Sequence, residues 1–326
     1  MKIAINGFGR IGRAIFKICL DRRLNVVAIN DLPGPEAAAY TLRFDSVYGK
    51  YERSVKVQGD YLVVDGKKIR VLEERDPTKL PWKELGVDLV IESTGIFTKA
   101  QDAAQHITAG AKRVIITAPA KGPDCTVVPC VNEQVLKRGP RIISVGSCTT
   151  NCTAPIARVL MDAFGIHHAM LTTVHAYTND QIILDNAHKN IRRGRAAGLN
   201  MIPTTTGAAE AVIEAIPELK GKMTGLSVRV PVPCGSLIDL TCNVTRKVEI
   251  ADVNAALEKA SKKAFKGIIE YSTDALVSSD VIGNPHSAIV DSLSTQVTGN
   301  LVKVLAWYDN EFGYSNRVVD VVQMLR

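Results

Sequence analysis

Two residues in the middle of the chain, Cys148 and His175, are of types that could together perform nucleophilic chemistry. Cys148 lies in the SCTTNC segment at 147–152, between a predicted strand and a predicted helical run at 153–161. A thiol at a helix N-terminus is close to aligned backbone N–H groups and to the positive end of the helix dipole, which both lower its pKa. Such a thiolate could attack an aldehyde, and the N–H groups could hold the developing oxyanion.

His175 ends a predicted strand at 169–175 and opens the HAYTNDQ segment. It could hold the thiolate as an ion pair and then accept the hydroxyl proton of a hemithioacetal as hydride leaves. On spacing alone, Cys148 and His175 could instead both be packing residues. Cys152 lies one helical turn deeper than Cys148, so we expect it to be structural.

A glycine-rich segment, NGFGRIG at 6–12, follows the first predicted strand and opens the first predicted helix. Gly7 permits a tight turn, Gly9 lets a pyrophosphate approach the backbone, and Gly12 lets helix and strand pack closely. Asp31 ends the second predicted strand about 20 residues later, as a dinucleotide site requires. It would accept hydrogen bonds from the ribose hydroxyls and repel a 2′-phosphate; the alternative is a turn or capping residue.

The elements that must position these residues differ between the two halves of the chain. Up to about residue 147, short apolar runs alternate with helical patterns, and this alternation predicts a Rossmann-type, doubly wound parallel sheet. Residues 54–58 and 61–64 predict an antiparallel hairpin inserted into it. The predicted strands are at 3–6, 26–30, 88–92, 114–117 and 142–144, and the predicted helices at 11–20, 36–43 and 99–109.

Longer strands follow, at 169–175, 226–230, 237–244 and 301–308, with helices at 206–216 and 251–264. They predict an α+β catalytic domain with a mixed or antiparallel sheet and helices on one face. The expected organisation is therefore an NAD-binding domain at 1–147, a catalytic domain at 148–311, and a C-terminal helix at 312–326.

Composition restricts the class of protein. The chain has 326 residues, of which 46% are hydrophobic and 22% charged, as in ordinary globular proteins. No signal peptide and no apolar stretch of about 18 residues is present, so we expect a cytoplasmic protein that does not enter membranes. The seven cysteines lack CxxC spacing, and no metal site is predicted. The net charge of +7 fits a solvated basic surface or attraction of anions; without a basic-aromatic run, nucleic acid is not indicated.

Five segments resemble, in order, those of the phosphorylating glyceraldehyde-3-phosphate dehydrogenase family: GFGRIGR, SCTTNC, HAYTNDQ, IPTTTGAA and WYDNEFGYS. The resemblance extends along essentially the whole chain. It implies oxidation of glyceraldehyde 3-phosphate to 1,3-bisphosphoglycerate with NAD and inorganic phosphate, in glycolysis or gluconeogenesis. Cys148 would form a hemithioacetal and then a thioester, and His175 would be the base. It also implies a homotetramer in which residues 179–201 or so lie against a neighbouring subunit, and a C-terminal helix that packs back on the NAD-binding domain.

The resemblance further implies two anion sites and a cofactor site, whose residue types suit phosphate binding. The substrate-phosphate site would use Thr178, Asp180 and Arg229. The attacking-phosphate site would use Ser147, Thr149, Arg193, Thr206 and Gly207, although Arg193 could instead be a solvated charge in the basic run at 189–195. The cofactor would be bound by Gly7, Phe8, Gly9, Arg10, Ile11, Gly12, Asp31, Arg75, Thr94, Gly95, Thr117, Asn310 and Tyr314.

The chain departs from the family pattern at three places. Val145-Gly146 stands where Asn-Ala is usual, and Gly146 is expected to loosen the backbone before the nucleophile. Cys234-Gly235 replaces a common Asn-Val pair. Asn186-Ala187 stands where many NAD-preferring members have Leu-Pro, a pair that helps to exclude the 2′-phosphate, so we expect NAD preference with some NADP tolerance.

Two alternative functions remain open at this point. The NPHSAIVD segment at 284–291 is reminiscent of erythrose-4-phosphate dehydrogenase, which shares the Cys, His and Rossmann elements. The second alternative is a nucleotide- or RNA-binding protein whose chemistry is incidental. The presence of both Cys148 and His175 argues against it.

Overall fold

The first part of the chain forms a nine-stranded sheet, as its alternating pattern predicts. The structure is a computed structural model that describes residues 1–326. Its first unit comprises Met1–Val127, Gln134–Gly146 and Ser315–Arg326. The strands of this unit are β1 Lys2–Asn6, β2 Asn25–Asn30, β3 Phe44–Asp45, β4 Gly49–Lys50, β5 Val55–Gln58, β6 Tyr61–Val64, β7 Lys67–Leu72, β8 Leu89–Glu92, β9 Arg113–Ile116, β10 Cys125–Thr126 and β11 Ile142–Ser144. Its helices are α1 Arg10–Asp21, α2 Gly34–Arg43, α3 Trp82–Leu85, α4 Ala100–Ala103 and α5 Gln105–Thr108.

The strand order of this sheet is β10-β11-β9-β8-β1-β2-β7-β6-β5. Pairing is parallel from β10 through β7 and antiparallel from β7 to β5. The predicted doubly wound sheet with an inserted hairpin is confirmed, and β7 extends that hairpin to three strands. The helix predicted over 99–109 is instead two short helices, α4 and α5, that meet at Ala104.

The second unit comprises Val128–Glu133 and Ser147–Tyr314. Its division from the first unit therefore falls one residue before the expected boundary at 147, and it also includes a short earlier segment. The strands are β12 Ile166–Ala176, β13 Ile202–Thr204, β14 Met223–Val230, β15 Ser236–Val244, β16 Ile269–Ser272, β17 Ala288–Thr298 and β18 Leu301–Tyr308. The helices are α6 Cys148–Phe164, α7 Ala208–Ala215 and α8 Ile250–Lys262, and the chain ends with α9 Phe312–Met324.

The second sheet has the order β13-β14-β12-β15-β18-β17-β16. It is mixed, since β12–β14 and β16–β17 pair in parallel and the other neighbours are antiparallel. Alternate residues of its strands pack against α6, α7 and α8 in one buried apolar cluster. The predicted α+β arrangement is confirmed; β13, β16 and β17 were not predicted.

Residues 315–326 belong to the first unit, and three of their side chains bond to one arginine. Arg22 at the end of α1 donates to Asn316 at 2.7 Å, to Asp320 at 2.5 Å and to Gln323 at 2.8 Å.

No helix of the structure combines the length and the apolar character needed to cross a membrane.

Candidate active site

Helix α6 begins at Cys148 itself, five residues before the predicted helical run. Ser147 is the N-cap: its Oγ accepts from the Thr150 N–H at 3.0 Å, and Thr150 Oγ1 accepts from the Ser147 N–H at 3.2 Å. This reciprocal pair satisfies two backbone donors and stabilises the first turn, by about 1 kcal/mol for such a cap. Gly146 adopts a φ of +62°, a conformation that glycine reaches without strain.

The structure brings Cys148 and His175 into contact. Cys148 Sγ lies 3.3 Å from Nε2 of His175, although the two residues come from a helix start and a strand end. Strand β12, which carries His175, is paired on both sides along most of its length, with β14 and β15. His175 is buried, while Cys148 is half-buried. A rigid, desolvated imidazole thus faces a partly accessible thiol, which is the geometry of a nucleophile and its base.

The second ring nitrogen of His175 has two competing neighbours. Nδ1 lies 2.7 Å from the carbonyl oxygen of Ala176 and 2.9 Å from Nη1 of Arg229. A protonated Nδ1 can donate to the carbonyl but not accept from the guanidinium, and an unprotonated Nδ1 does the reverse. Donation from Arg229 therefore favours the tautomer of His175 in which Nδ1 carries no hydrogen.

Burial is the main influence on the pKa of both partners. It raises the pKa of the Cys148 thiol, against the opposing effects of the Arg229 charge and the Thr149 backbone N–H. The helix start does lower the pKa as expected, through the Thr149 N–H, but burial outweighs it for the thiol taken alone. Burial, helped by Arg229, also lowers the pKa of His175 to about 3. Proton transfer from Sγ to Nε2 keeps the pair neutral overall, so an ion pair avoids part of this penalty.

Tyr308, which the sequence did not single out, connects the elements around this pair. Its hydroxyl lies 2.8 Å from Thr149 Oγ1 and 2.8 Å from Thr173 Oγ1. Its ring packs edge-on against the imidazole of His175, with the ring centroids 6.0 Å apart. Tyr308 is more than a hundred residues from both threonines in sequence, so no local pattern could have found these contacts.

The residues proposed for the substrate phosphate divide into two groups. Arg229 donates to Ala176 O at 3.0 Å and approaches Thr178 Oγ1 at 3.4 Å, so these two lie beside His175. Asp180 instead pairs with Arg193. Nε of Arg229 is buried with no hydrogen-bond partner in the protein, as expected of a group that binds an anionic ligand.

The residues proposed for the attacking phosphate lie at two helix starts and one loop. Ser147 and Thr149 are in the first turn of α6, where their hydroxyls bond to Thr150 and Tyr308. Thr206 and Gly207 immediately precede α7, and Gly207 is its N-cap. Arg193 bonds to Asp180, Thr204 and the carbonyl oxygen of Thr205, so it is not the free solvated charge that the basic run at 189–195 allowed.

The glycine-rich turn has the geometry that dinucleotide binding requires. A Cβ at Gly12 would lie 2.1 Å from the carbonyl oxygen of Gly7, and one at Gly7 would lie 2.7 Å from the Thr94 nitrogen. Both positions therefore exclude side chains for close packing. Gly9, the N-cap of α1, is different, because a Cβ there would meet nothing within 4 Å. Its missing side chain leaves the helix start open, which fits a pyrophosphate at this end of α1.

A cavity of about 400 Å³ lies at the carboxyl ends of β1, β2 and β8. Of the predicted cofactor residues, Gly7, Gly9, Asp31, Arg75 and Thr94 line it. Others lie outside the lining: the Arg10 guanidinium pairs with Asp45 at 3.3 Å, Phe8 packs against Phe16, and Thr117 Oγ1 bonds to Glu92 O. Ile11 and Gly12 lie in the first turn of α1, and Gly95 follows Thr94 with a φ of +74°.

A buried carboxylate behind this cavity was not predicted. Glu92 Oε2 lies 2.6 Å from Asn6 Nδ2 and 3.0 Å from His106 Nε2, while Oε1 accepts from the backbone and hydroxyl of Thr94. Trp82 Nε1 donates to His106 Nδ1 at 3.1 Å, which places the ring proton on Nε2 and directs it to Glu92. His106 is thus a hydrogen-bonded core residue, and Glu92 fixes Asn6 and Thr94 on the cavity wall.

The last two predicted cofactor residues lie in the second unit. Asn310 is buried, and its Oδ1 accepts from Gly235 N at 3.1 Å and Ser236 Oγ at 3.0 Å. Tyr314 is buried in α9, and burial raises the pKa of its hydroxyl well above the usual value. The His286 segment packs beside these residues, since a Cβ at Gly313 would lie 2.5 Å from the carbonyl oxygen of His286. The His286 side chain is held by other residues: its Nδ1 lies 2.9 Å from Asn284 Oδ1 and 2.9 Å from Glu270 Oε2.

Comparison with known proteins identifies the relatives of the chain. A family model described as the NAD binding domain of glyceraldehyde 3-phosphate dehydrogenase matches residues 1–100, and one described as its C-terminal domain matches residues 147–310. Glyceraldehyde-3-phosphate dehydrogenase from Borreliella burgdorferi is 52% identical over 100% of this chain and 99% of its own. The enzyme from Priestia megaterium is 54% identical over 100% and 98%, and glyceraldehyde-3-phosphate dehydrogenase 1 from Bacillus subtilis is 54% identical over 98% and 97%.

Proposed function

We propose specific roles for Cys148, His175 and their neighbours on the premise that the chain belongs to the glyceraldehyde-3-phosphate dehydrogenase family. It is an NAD-dependent oxidoreductase that acts on glyceraldehyde 3-phosphate. The observation that carries the proposed mechanism is the 3.3 Å contact between Cys148 Sγ and His175 Nε2. The site residues, inorganic phosphate as co-substrate and the assembly are proposals.

In the proposed first step, Cys148 attacks the aldehyde carbon and forms a hemithioacetal. The thiol proton passes to His175 Nε2 and from there to the oxygen of the addition product, which becomes the hemithioacetal hydroxyl and leaves His175 neutral. Acceptance at Nε2 requires that Nδ1 carry a hydrogen and donate to the carbonyl of Ala176. Arg229 opposes this tautomer when its Nη1 faces Nδ1. A substrate phosphate drawn to Arg229 and Thr178 would neutralise that charge and favour the tautomer in which Nε2 is the base.

In the second step, His175 accepts the proton of the hemithioacetal hydroxyl as the carbon is oxidised to a thioester. NAD, when bound, supplies the hydride acceptor. Backbone N–H groups at the start of α6 are placed to stabilise the oxygen of the tetrahedral species. Inorganic phosphate then attacks the thioester carbon, the Cys148 thiolate leaves, and an acyl phosphate is formed. Thr206, Gly207 and Arg193 are the residues proposed to hold this phosphate.

Within the cofactor site, we assign the adenosine ribose to Asp31. The carboxylate follows β2 and lines the cavity. It can accept from two ribose hydroxyls and would lie against the extra negative charge of a 2′-phosphate, which favours NAD. In the second unit, we propose that Asn310 binds the nicotinamide carboxamide.

We also propose a homotetrameric, cytoplasmic enzyme. Five large apolar side chains of the segment at 179–201 are between 74% and 87% exposed in the single chain, which suits burial against a neighbouring subunit. They are Ile183, Leu184, Ile191, Leu199 and Met201. All seven cysteines are free thiols, as is usual in a reducing compartment.

A matrix of two aldehydes and two cofactors tests this function. We expect kcat/KM to be highest for glyceraldehyde 3-phosphate with NAD. With NADP it should be lower by about tenfold, because repulsion between Asp31 and the 2′-phosphate of about 1.4 kcal/mol corresponds to that factor. Formation of NADH is followed by absorbance, with and without inorganic phosphate. Higher kcat/KM for erythrose 4-phosphate would favour the alternative dehydrogenase, and preference for NADP would contradict the role of Asp31.

A further inference from the structure

A single buried hydroxyl connects the strand of the proposed base with the proposed nicotinamide ligand. Ser236, the first residue of β15, is 1% exposed. Its Oγ accepts from the Ala176 N–H at 3.1 Å and donates to Asn310 Oδ1 at 3.0 Å. Its one proton and one of its lone pairs are therefore both used, and Ala176 directly follows His175.

The direction of the Asn310 amide is fixed by these contacts. Gly235 N–H, which can only donate, lies 3.1 Å from the same atom of Asn310, so that atom must be the oxygen. Nδ2 then remains as the end of the amide that has no acceptor in the protein. A donor at this position suits the carbonyl oxygen of a ligand carboxamide.

The backbone around Asn310 is held independently of Ser236. The buried carboxylate of Asp309 accepts from Gly283 N at 2.7 Å, from Glu311 N at 2.8 Å and from Cys234 Sγ at 3.3 Å. Gly235 has a φ of +87°, and a Cβ there would lie 2.2 Å from Ser278 O. Gly235 thus lets the chain at Ser278 approach closely, and Cys234 bonds directly to Asp309. Loss of the Ser236 hydroxyl should therefore leave the backbone around Asn310 in place.

We propose that Ser236 is a positioning residue that holds Asn310 with Nδ2 directed for donation to the nicotinamide carboxamide. The inference rests on the proposed role of Asn310. If it is correct, Ser236 affects the binding of the nicotinamide half of the cofactor only. The adenosine half, for which we proposed the glycine-rich turn and Asp31, is then bound as before.

The test measures equilibrium dissociation constants for NAD and for ADP-ribose, which lacks nicotinamide, by calorimetry. Ser236→Ala should raise the Kd for NAD about tenfold, the effect of one lost hydrogen bond, and leave that for ADP-ribose unchanged. Ser236→Cys, with a similar volume and a weaker donor, should fall between. Ser227→Ala is the matched control, since Ser227 is a buried strand serine whose hydroxyl has no partner.

The outcomes distinguish the positioning role of Ser236 from the proposed role of Asn310 on which it depends. If Asn310→Ala weakens NAD selectively and neither Ser236 variant does, the positioning role is overturned and the role of Asn310 stands. If Asn310→Ala has no selective effect, the nicotinamide assignment fails, and the positioning role fails with it. Equal weakening of both ligands by Ser236→Ala and Ser236→Cys, or a thermal midpoint that falls in step with affinity, would show a structural role only and would also overturn the inference.

Discussion

Cys148→Ser should abolish turnover while the protein remains folded. We expect kcat/KM for glyceraldehyde 3-phosphate to fall by about 10⁴-fold or more, because a serine hydroxyl is far less ionised than a thiol and is a poorer leaving group in the step that releases the acyl group. The substitution changes one half-buried atom at the start of α6, whose cap is provided by Ser147 and Thr150. The unfolding midpoint should therefore change little, and the NADH assay should detect no phosphate-dependent turnover.

Cys152→Ser is the matched control for this variant. Cys152 lies on the same helix four residues further on, is fully buried, and its Sγ is 3.9 Å from the carbonyl oxygen of Ala306. Burial raises the pKa of its thiol well above the usual value, so it is not a competing nucleophile. We expect this variant to lose stability, through a buried hydroxyl, and to keep its activity. Equal loss of activity in the two variants would mean that Cys148 has no special role.

His175→Asn should lower kcat by about 10²- to 10⁴-fold, the usual contribution of a general base. Its effect on the reactivity of Cys148 should depend on pH. Because burial raises the thiol pKa, ionisation to solvent becomes important only at alkaline pH, whereas transfer to His175 operates below that pKa. Alkylation of Cys148 should therefore be slowed most near neutral pH and little above the thiol pKa.

The alkylation rate of Cys148 with iodoacetamide, measured from pH 6 to pH 10 in the absence of cofactor, checks this expectation. His168→Asn is a suitable control, since His168 is an exposed residue of the same strand. It should behave as the unmodified protein does. A His175→Asn profile that is parallel to the unmodified one at every pH would show that His175 does not share the thiol proton.

Local patterns predicted the parts of the fold that depend on local physics. The turn at Gly7, Gly9 and Gly12 was predicted correctly because Gly12 approaches Gly7 closely within one strand–turn–helix unit, while Gly9 leaves the helix start open. The start of α6 was predicted too late, since Thr149, Thr150 and Asn151 are weak helix formers. The capping box of Ser147 and Thr150 compensates for that weakness.

Contacts between distant segments are the part that sequence reasoning did not reach. Tyr308 and Ser236 contact the elements of Cys148 and His175 only because β18, β15 and β12 are adjacent in the sheet. The raised pKa of Cys148 has the same origin, since the helix start can be read from the sequence but the burial that opposes it cannot. Strand β17 was missed although it has eleven residues, because its run of small and polar residues lacks a clear period of two beyond Asp291.

The most direct test of the central claim is a single-turnover experiment without phosphate. The protein is mixed with NAD and glyceraldehyde 3-phosphate, and NADH absorbance and the mass of the peptide carrying Cys148 are measured together. The proposed mechanism predicts a burst of one NADH per active site and an acyl group on Cys148, followed by steady turnover when inorganic phosphate is added. Steady turnover without phosphate, or a burst with no acyl group on Cys148, would contradict it.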